Sequence, residues 1–209
     1  GKQMEFWGGF DQTSGNKLAH FDLLLGRLFR PGDQLKKSKG HLQLAIDQTE
    51  FTPWLPIITR FTHPEQDESH DVVSAAEDSA KFFPPLISID GKISRLDLMG
   101  QALTDLTMKA EPVEHVWRFE VESDELDGRV DFYPDWSTQG LKLVASKFHM
   151  APKVKKPENA QFKSDTVLQN LPPLAIDVDD FSFYGMPLGH LVLQGTPEGN
   201  NYLIQTVSL

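Results

Sequence analysis

The sequence predicts a mainly β protein: an antiparallel sheet built from repeated strand units, with one or two short helices. Three observations predict it. Apolar residues recur with period two along most of the chain, and Gly, Pro, Asn and Asp clusters punctuate the runs. The chain also repeats itself at an offset of 85 residues. Gly100 to Pro112 (GQALTDLTMKAEP) lies over Gly185 to Pro197 (GMPLGHLVLQGTP), and the match reaches Trp117 over Tyr202. Upstream, Pro84-Pro85-Leu86 corresponds to Pro172-Pro173-Leu174, shifted by three residues. Units of this kind add side by side.

The strand runs follow in order. Met4-Glu5-Phe6-Trp7 starts in strand-like sequence; Phe21, Leu23 and Leu25 share one face, then Leu42, Leu44 and Ile46. Leu106, Met108 and Ala110 alternate next, followed by Trp117, Phe119 and Val121 against Arg118, Glu120 and Glu122. Val130 and Phe132, then Leu141, Leu143 and Ala145, then Leu191, Leu193 and Gly195 continue the series, and Tyr202 to Leu209 closes it. One apolar and one solvated face per strand is the mark of an antiparallel sheet. Pro31-Gly32-Asp33, Asp90-Gly91, Asp127-Gly128 and Glu198-Gly199-Asn200-Asn201 read as turns. Thr52-Pro53 opens a helix through Phe61, and Asp71 to Phe82 is a short amphipathic helix. The organisation expected is an N-terminal β segment with a short helix (1–63), an acidic linker and short helix (64–83), repeat unit 1 (84–150), a loop insertion (151–170) and a truncated repeat unit 2 (171–209).

Composition excludes several functions. A net charge of -10 over 209 residues argues against nucleic acid and against docking on anionic membranes. The absence of cysteine removes disulfides, thiolate zinc sites and a cysteine nucleophile, and suits an oxidising compartment. No run approaches a membrane span, and no signal peptide is visible. Both termini read as cut from a longer protein.

Chemistry is sparse. The seven histidines are scattered, and no zincin pair, nucleophile elbow or phosphate-cradling glycine loop is present. Asp177, Asp179 and Asp180 invite comparison with a calcium site but lack its spacing and closing glutamate, and read as a solvated turn. Asp124 to Gly128 reads as a hairpin turn, Glu68, His70 and Asp71 as solvating linker charges, and His115 and His190 as half-buried strand residues. No cofactor and no metal is expected. Trp7, Trp54, Trp117 and Trp136 could stack sugars, with core packing the ordinary alternative. Some ten apolar strand faces exceed what two short helices can cover, so the sheet either folds on itself or holds a ligand.

Two stretches carry a family resemblance. Leu171 to Phe181 (LPPLAIDVDDF), followed by Gly185-x-x-Leu188-Gly189-x-Leu191-x-Leu193-x-Gly195-x-Pro197, resembles the AsmA-like envelope proteins, the YhdP-like group in particular. Ile87 to Gly91 leading to Gly100-x-x-Leu103 resembles a second copy, and Leu44 to Thr49 with Trp54-Leu55-Pro56 is similar in style. The resemblance implies a taco-like, curved β gutter within a long periplasmic protein anchored in the inner membrane by a segment outside this chain. It also implies a non-enzymatic role in moving phospholipid between inner and outer membranes and in the outer-membrane permeability barrier. Phospholipid acyl chains are then the expected ligand, envelope proteins a second class of partner, and membrane contact belongs to other parts of the protein. The expected groove liners are Leu106, Met108, Trp117, Phe119, Val121, Leu141, Leu143, Leu191, Leu193, Tyr202 and Ile204. An envelope assembly scaffold and a carbohydrate-binding β module are the alternatives.

Overall fold

A computed structural model describes residues 3–11, 17–31, 33, 35–54, 84–98, 100–133, 135–151, 172–199 and 201–209. Eleven strands form one curved, unclosed sheet in which spatial order equals chain order. They are β1 (Met4–Asp11), β2 (Lys17–Leu25), β3 (Lys39–Glu50), β4 (Leu86–Leu98), β5 (Gln101–Val113), β6 (Val116–Glu122), β7 (Leu126–Phe132), β8 (Leu141–Met150), β9 (Leu174–Phe183), β10 (Met186–Glu198) and β11 (Asn201–Ser208). The helical content described is a 3-10 turn, Thr52–Trp54, and α1, Trp136–Gln139. The turn opens where Thr52-Pro53 predicts a helix start. The rest of that helix, the one over 71–82, the linker 64–83 and all but Ala151 of the insertion lie outside the described residues.

Seven neighbouring pairs are antiparallel; β2–β3, β3–β4 and β8–β9 are parallel. The sheet is thus mainly antiparallel, as the sequence predicts, with three parallel pairs set into it. Parallel neighbours cannot be joined by a tight turn, so the chain crosses back between them, through residues 26–38, 51–85 and 151–173. The first crossover lies on the outer face. Its Phe29 amide donates to Glu5 (2.6 Å), and the Lys36 and Lys37 amides donate to the buried Asp22 carboxylate (3.1 and 3.3 Å). The Lys36 ammonium reaches Ser88 and Asp90, and His41 Nδ1 bonds Ser88 (2.6 Å). Leu24, 1 % exposed, is sealed on this side of the sheet.

The repeat has a structural counterpart. β5 and β10 are both 13 residues long and begin 85 residues apart, after Gly100 and Gly185, each at positive φ. β4 and β9 follow the two Pro-Pro-Leu sequences, and each is entered in parallel from its predecessor. The entry bond is the same in both: Gly40 N donates to Pro85 O, and Leu141 N to Pro173 O, each at 3.0 Å. The preceding residues, Lys39 (φ 54) and Gly140 (φ 81), are left-handed, which aims the following amide at the proline carbonyl.

Two turn assignments are corrected. Asp90-Gly91 lies inside β4 and Asp127-Gly128 inside β7; the β6–β7 turn is residues 123–125. Those glycines serve close approach. A Cβ on Gly91 would sit 2.7 Å from Met108 Cγ, and one on Gly128 2.6 Å from Ala145 Cβ.

Candidate functional site

The cross-strand register turns alternation into rows that span the sheet. One row begins Phe6–Leu23–Leu42–Ile89–Ala110–Phe119. It continues through Val130, Leu143, Ile176 and Leu193 to Val207, one apolar residue from each of eleven strands. The next row, from Met4 and Leu25 through Met108 and Val121 to Val178 and Leu191, is also wholly apolar. A third joins Pro112, Trp117, Phe132, Leu141, Leu174, Gly195 and Ile204. The rows between them point the other way and carry charge, as in Asp90–Lys109–Glu120–Arg129 and Glu111–Arg118–Asp131–Lys142. The sheet therefore has one continuous apolar face and one charged face.

All eleven expected groove liners stand on the apolar face. Leu106 (3 % exposed), Leu143 and Leu191 are buried, Ile204 (54 %) is exposed, and the other seven are half-buried. The middle of the face is its most covered part. Leu103, Leu126, Phe148, Val178 and Phe181 form one buried cluster with Leu143, Ala145 and Leu191. Leu96, Leu98, Leu103 and Leu188 were outside the expected set because period-two counting skips them. Ile93 to Leu96 and Leu103 to Leu106 are three-residue steps on partner strands, with Asp105 at φ 50. An extra residue at matching levels keeps both leucines inward, the effect of a β-bulge. Leu188-x-x-Leu191, with Gly189 at φ 84, repeats the device in β10. The Leu-x-x-Leu spacing shared by both repeat copies is the signal that reveals it.

The comparison with protein families matches the YhdP protein family over residues 1–209. The chain belongs to the YhdP family. No curated protein matches the chain, and no solved structure does. The YhdP family is an envelope protein family related to lipid transport and, in general terms, not an enzyme family. Among the described residues, no helix is long and apolar enough to cross a membrane.

Of the remaining sequence candidates, Glu68, His70 and Asp71 lie outside the described residues, and Asp177, Asp179, His115 and His190 stand outside the apolar face. Asp177, Asp179 and His190 gather on the outer face of β9 and β10, all exposed, with His190 Nε2 2.7 Å from Asp177. His190 is thus exposed rather than half-buried, and His115 lies in the β5–β6 turn, also exposed. Three of the tryptophans stand apart: Trp7 in the outer row beside Asp22, Trp117 on the inner face, and Trp54 donating to Thr49. The Tyr202 ring covers Gly195 and its hydroxyl donates to Pro172 O (3.0 Å); burial pushes that hydroxyl's pKa up. An open depression of about 250 Å³ is lined by both apolar and polar residues, among them Leu141, Leu174, Ala175, Lys142, Gln194 and Thr196.

The outer face is held by ion pairs. Arg118 grips Asp131 with two bonds (2.8 and 3.2 Å) and keeps its carboxyl below the usual carboxylate range. Arg27 holds Asp33 down to about 2. A depressed carboxylate pKa means the unfolded chain takes up protons first. The stability from Asp131 is therefore complete above about pH 4 and is lost as pH falls through its folded value. Asp131→Asn is expected to cost about 1–3 kcal/mol at neutral pH and to flatten the stability–pH curve below about pH 4. Urea denaturation from pH 2 to 7 measures both. An unchanged acid limb would remove Asp131 from the account.

Proposed function

We propose that the apolar face of this sheet carries phospholipid acyl chains between the inner and outer membranes, in the periplasm. Headgroups ride at the wet margin of the gutter. The supporting observation is the eleven-strand apolar row backed by charged rows on the opposite face. A closed domain needs an inward face no wider than its own covering, whereas this face runs across the sheet from Phe6 (46 % exposed) to Val207 (56 %). The role is passive: each methylene kept from water is worth about 0.8 kcal/mol, so a chain held along the row moves without paying full transfer into water. Family membership agrees with a lipid-transport role. The outer-membrane permeability barrier then depends on the phospholipid supplied.

The test is native mass spectrometry and lipid extraction of the chain purified without detergent from a Gram-negative envelope. Phospholipid is expected on the wild type. Leu193→Asp, half-buried in the central row, is expected to keep the fold and lose the lipid. A lipid-free wild type would make the face a closed core and the chain an envelope scaffold; in that case Leu193→Asp unfolds it.

A further inference from the structure

The two margins of the gutter differ. β5 and β8 overhang the shorter β6–β7 hairpin: β5–β6 pairing starts at Thr107–Glu122, and β7–β8 pairing at Leu126–Phe148. The hairpin tip fills the gap and is bonded on both sides. Asp124 N donates to Thr104 O (3.1 Å), while the Glu125 carboxylate accepts from Thr104 N (2.7 Å) and Thr104 Oγ1 (2.6 Å). On the far side His149 N donates to Glu125 O (2.7 Å), and Lys147 Nζ to Ser123 O (3.3 Å). Above the tip, Ala151 N donates to Gln101 Oε1 (2.7 Å), and Gln101 is 5 % exposed.

β5 and β8 are three strands apart, about 14 Å in a flat sheet. A direct bond between Gln101 and Ala151 therefore means that the sheet folds over its own hairpin here. Beneath the fold, Leu96, Leu98 and Leu103 join Leu126, Phe148 and Phe181 in one cluster. The opposite margin carries half-buried Trp117 and Leu141, with Pro112 and Ile204 exposed.

We propose that the Gln101–Thr104–Glu125–Ala151 clasp closes one margin of the gutter, so that an acyl chain enters and leaves across the opposite margin, beside Trp117. This rests on the lipid-carrying reading above.

Quenching of tryptophan by phosphatidylethanolamine brominated in its acyl chains tests it. With Trp7, Trp54 and Trp136 replaced by phenylalanine, Trp117 reports the open margin. Adding Trp117→Phe and Met150→Trp moves the reporter beneath the clasp. The Trp117 signal is expected to be lost and the Met150→Trp signal kept, until Gln101→Ala with Glu125→Gln lets quencher in. Equal quenching at both positions with the clasp intact overturns the proposal and leaves lipid carriage standing. Quenching at neither overturns lipid carriage, and the proposal with it. Hydrogen exchange on the unsubstituted chain is an independent readout. The Thr104, His149 and Ala151 amides are expected to be protected, and Gln101→Ala with Glu125→Gln to speed Thr104 and Ala151 on the order of tenfold, with Val178 unchanged. Unprotected Thr104 and Ala151 amides in the native chain would overturn the clasp.

Discussion

Val178→Asp is expected to leave no cooperatively folded sheet at neutral pH. Val178 has no exposed surface, sits between Ala145 and Leu191 in the apolar row, and belongs to the central buried cluster. None of those neighbours can bond a carboxylate. An unpaired charge there costs several kcal/mol, on top of about 1 kcal/mol of lost packing, against a total stability of about 5–15 kcal/mol for a domain. Ile204→Asp, on the same face but 54 % exposed, is expected to change stability by less than about 1 kcal/mol. Far-UV circular dichroism with urea titration compares them. Two folded variants of similar midpoint would mean the centre of the face is wet.

The second large effect is expected at Gly140. It lies at φ 81, and a Cβ there would collide with the Pro173 carbonyl oxygen, which accepts the Leu141 amide that starts the β8–β9 pairing. Gly185 lies at φ 75 with open space around its would-be Cβ. Both glycines pay the left-handed penalty of about 1–2 kcal/mol on becoming alanine, but only Gly140→Ala adds a clash with backbone. Gly140→Ala is therefore expected to cost at least about 3 kcal/mol, and Gly185→Ala about 1. A difference below 1 kcal/mol in urea midpoint-derived stabilities would show that the parallel entry bond matters little.

The apolar face was legible in sequence wherever the chain pairs regularly. Leu141, Leu143 and Ala145 alternate without interruption, and each meets an apolar partner on β9. Legibility failed where the backbone departs from period two. Leu103 and Leu188 are hidden by an extra residue, and counting backwards from Leu106 or Leu191 assigns them to the wrong side. It failed also where one residue type serves two purposes: Asp127-Gly128 has turn chemistry, yet Gly128 is there because Ala145 stands against it. The parallel pairs left no trace, because register between distant strands is decided by contacts such as Leu141 N to Pro173 O. Four of the eleven residues in the long row, from Phe6 to Ile89, lie in strands whose partners only the topology reveals.

The three crossovers are unequal in length, yet each brings the chain back to the same margin for the next parallel strand. A residue inserted in a strand would turn every side chain beyond it to the wrong face, and β5 avoids this only by a matching extra residue in β4. A residue inserted in a crossover disturbs no pairing and adds little closure entropy. Length variation is thereby channelled into the returns, and the sheet can be inherited and extended in whole blocks. Duplicating one block, Pro-Pro-Leu strand through the strand after the second hairpin, lengthens the apolar track while every existing row stays in step.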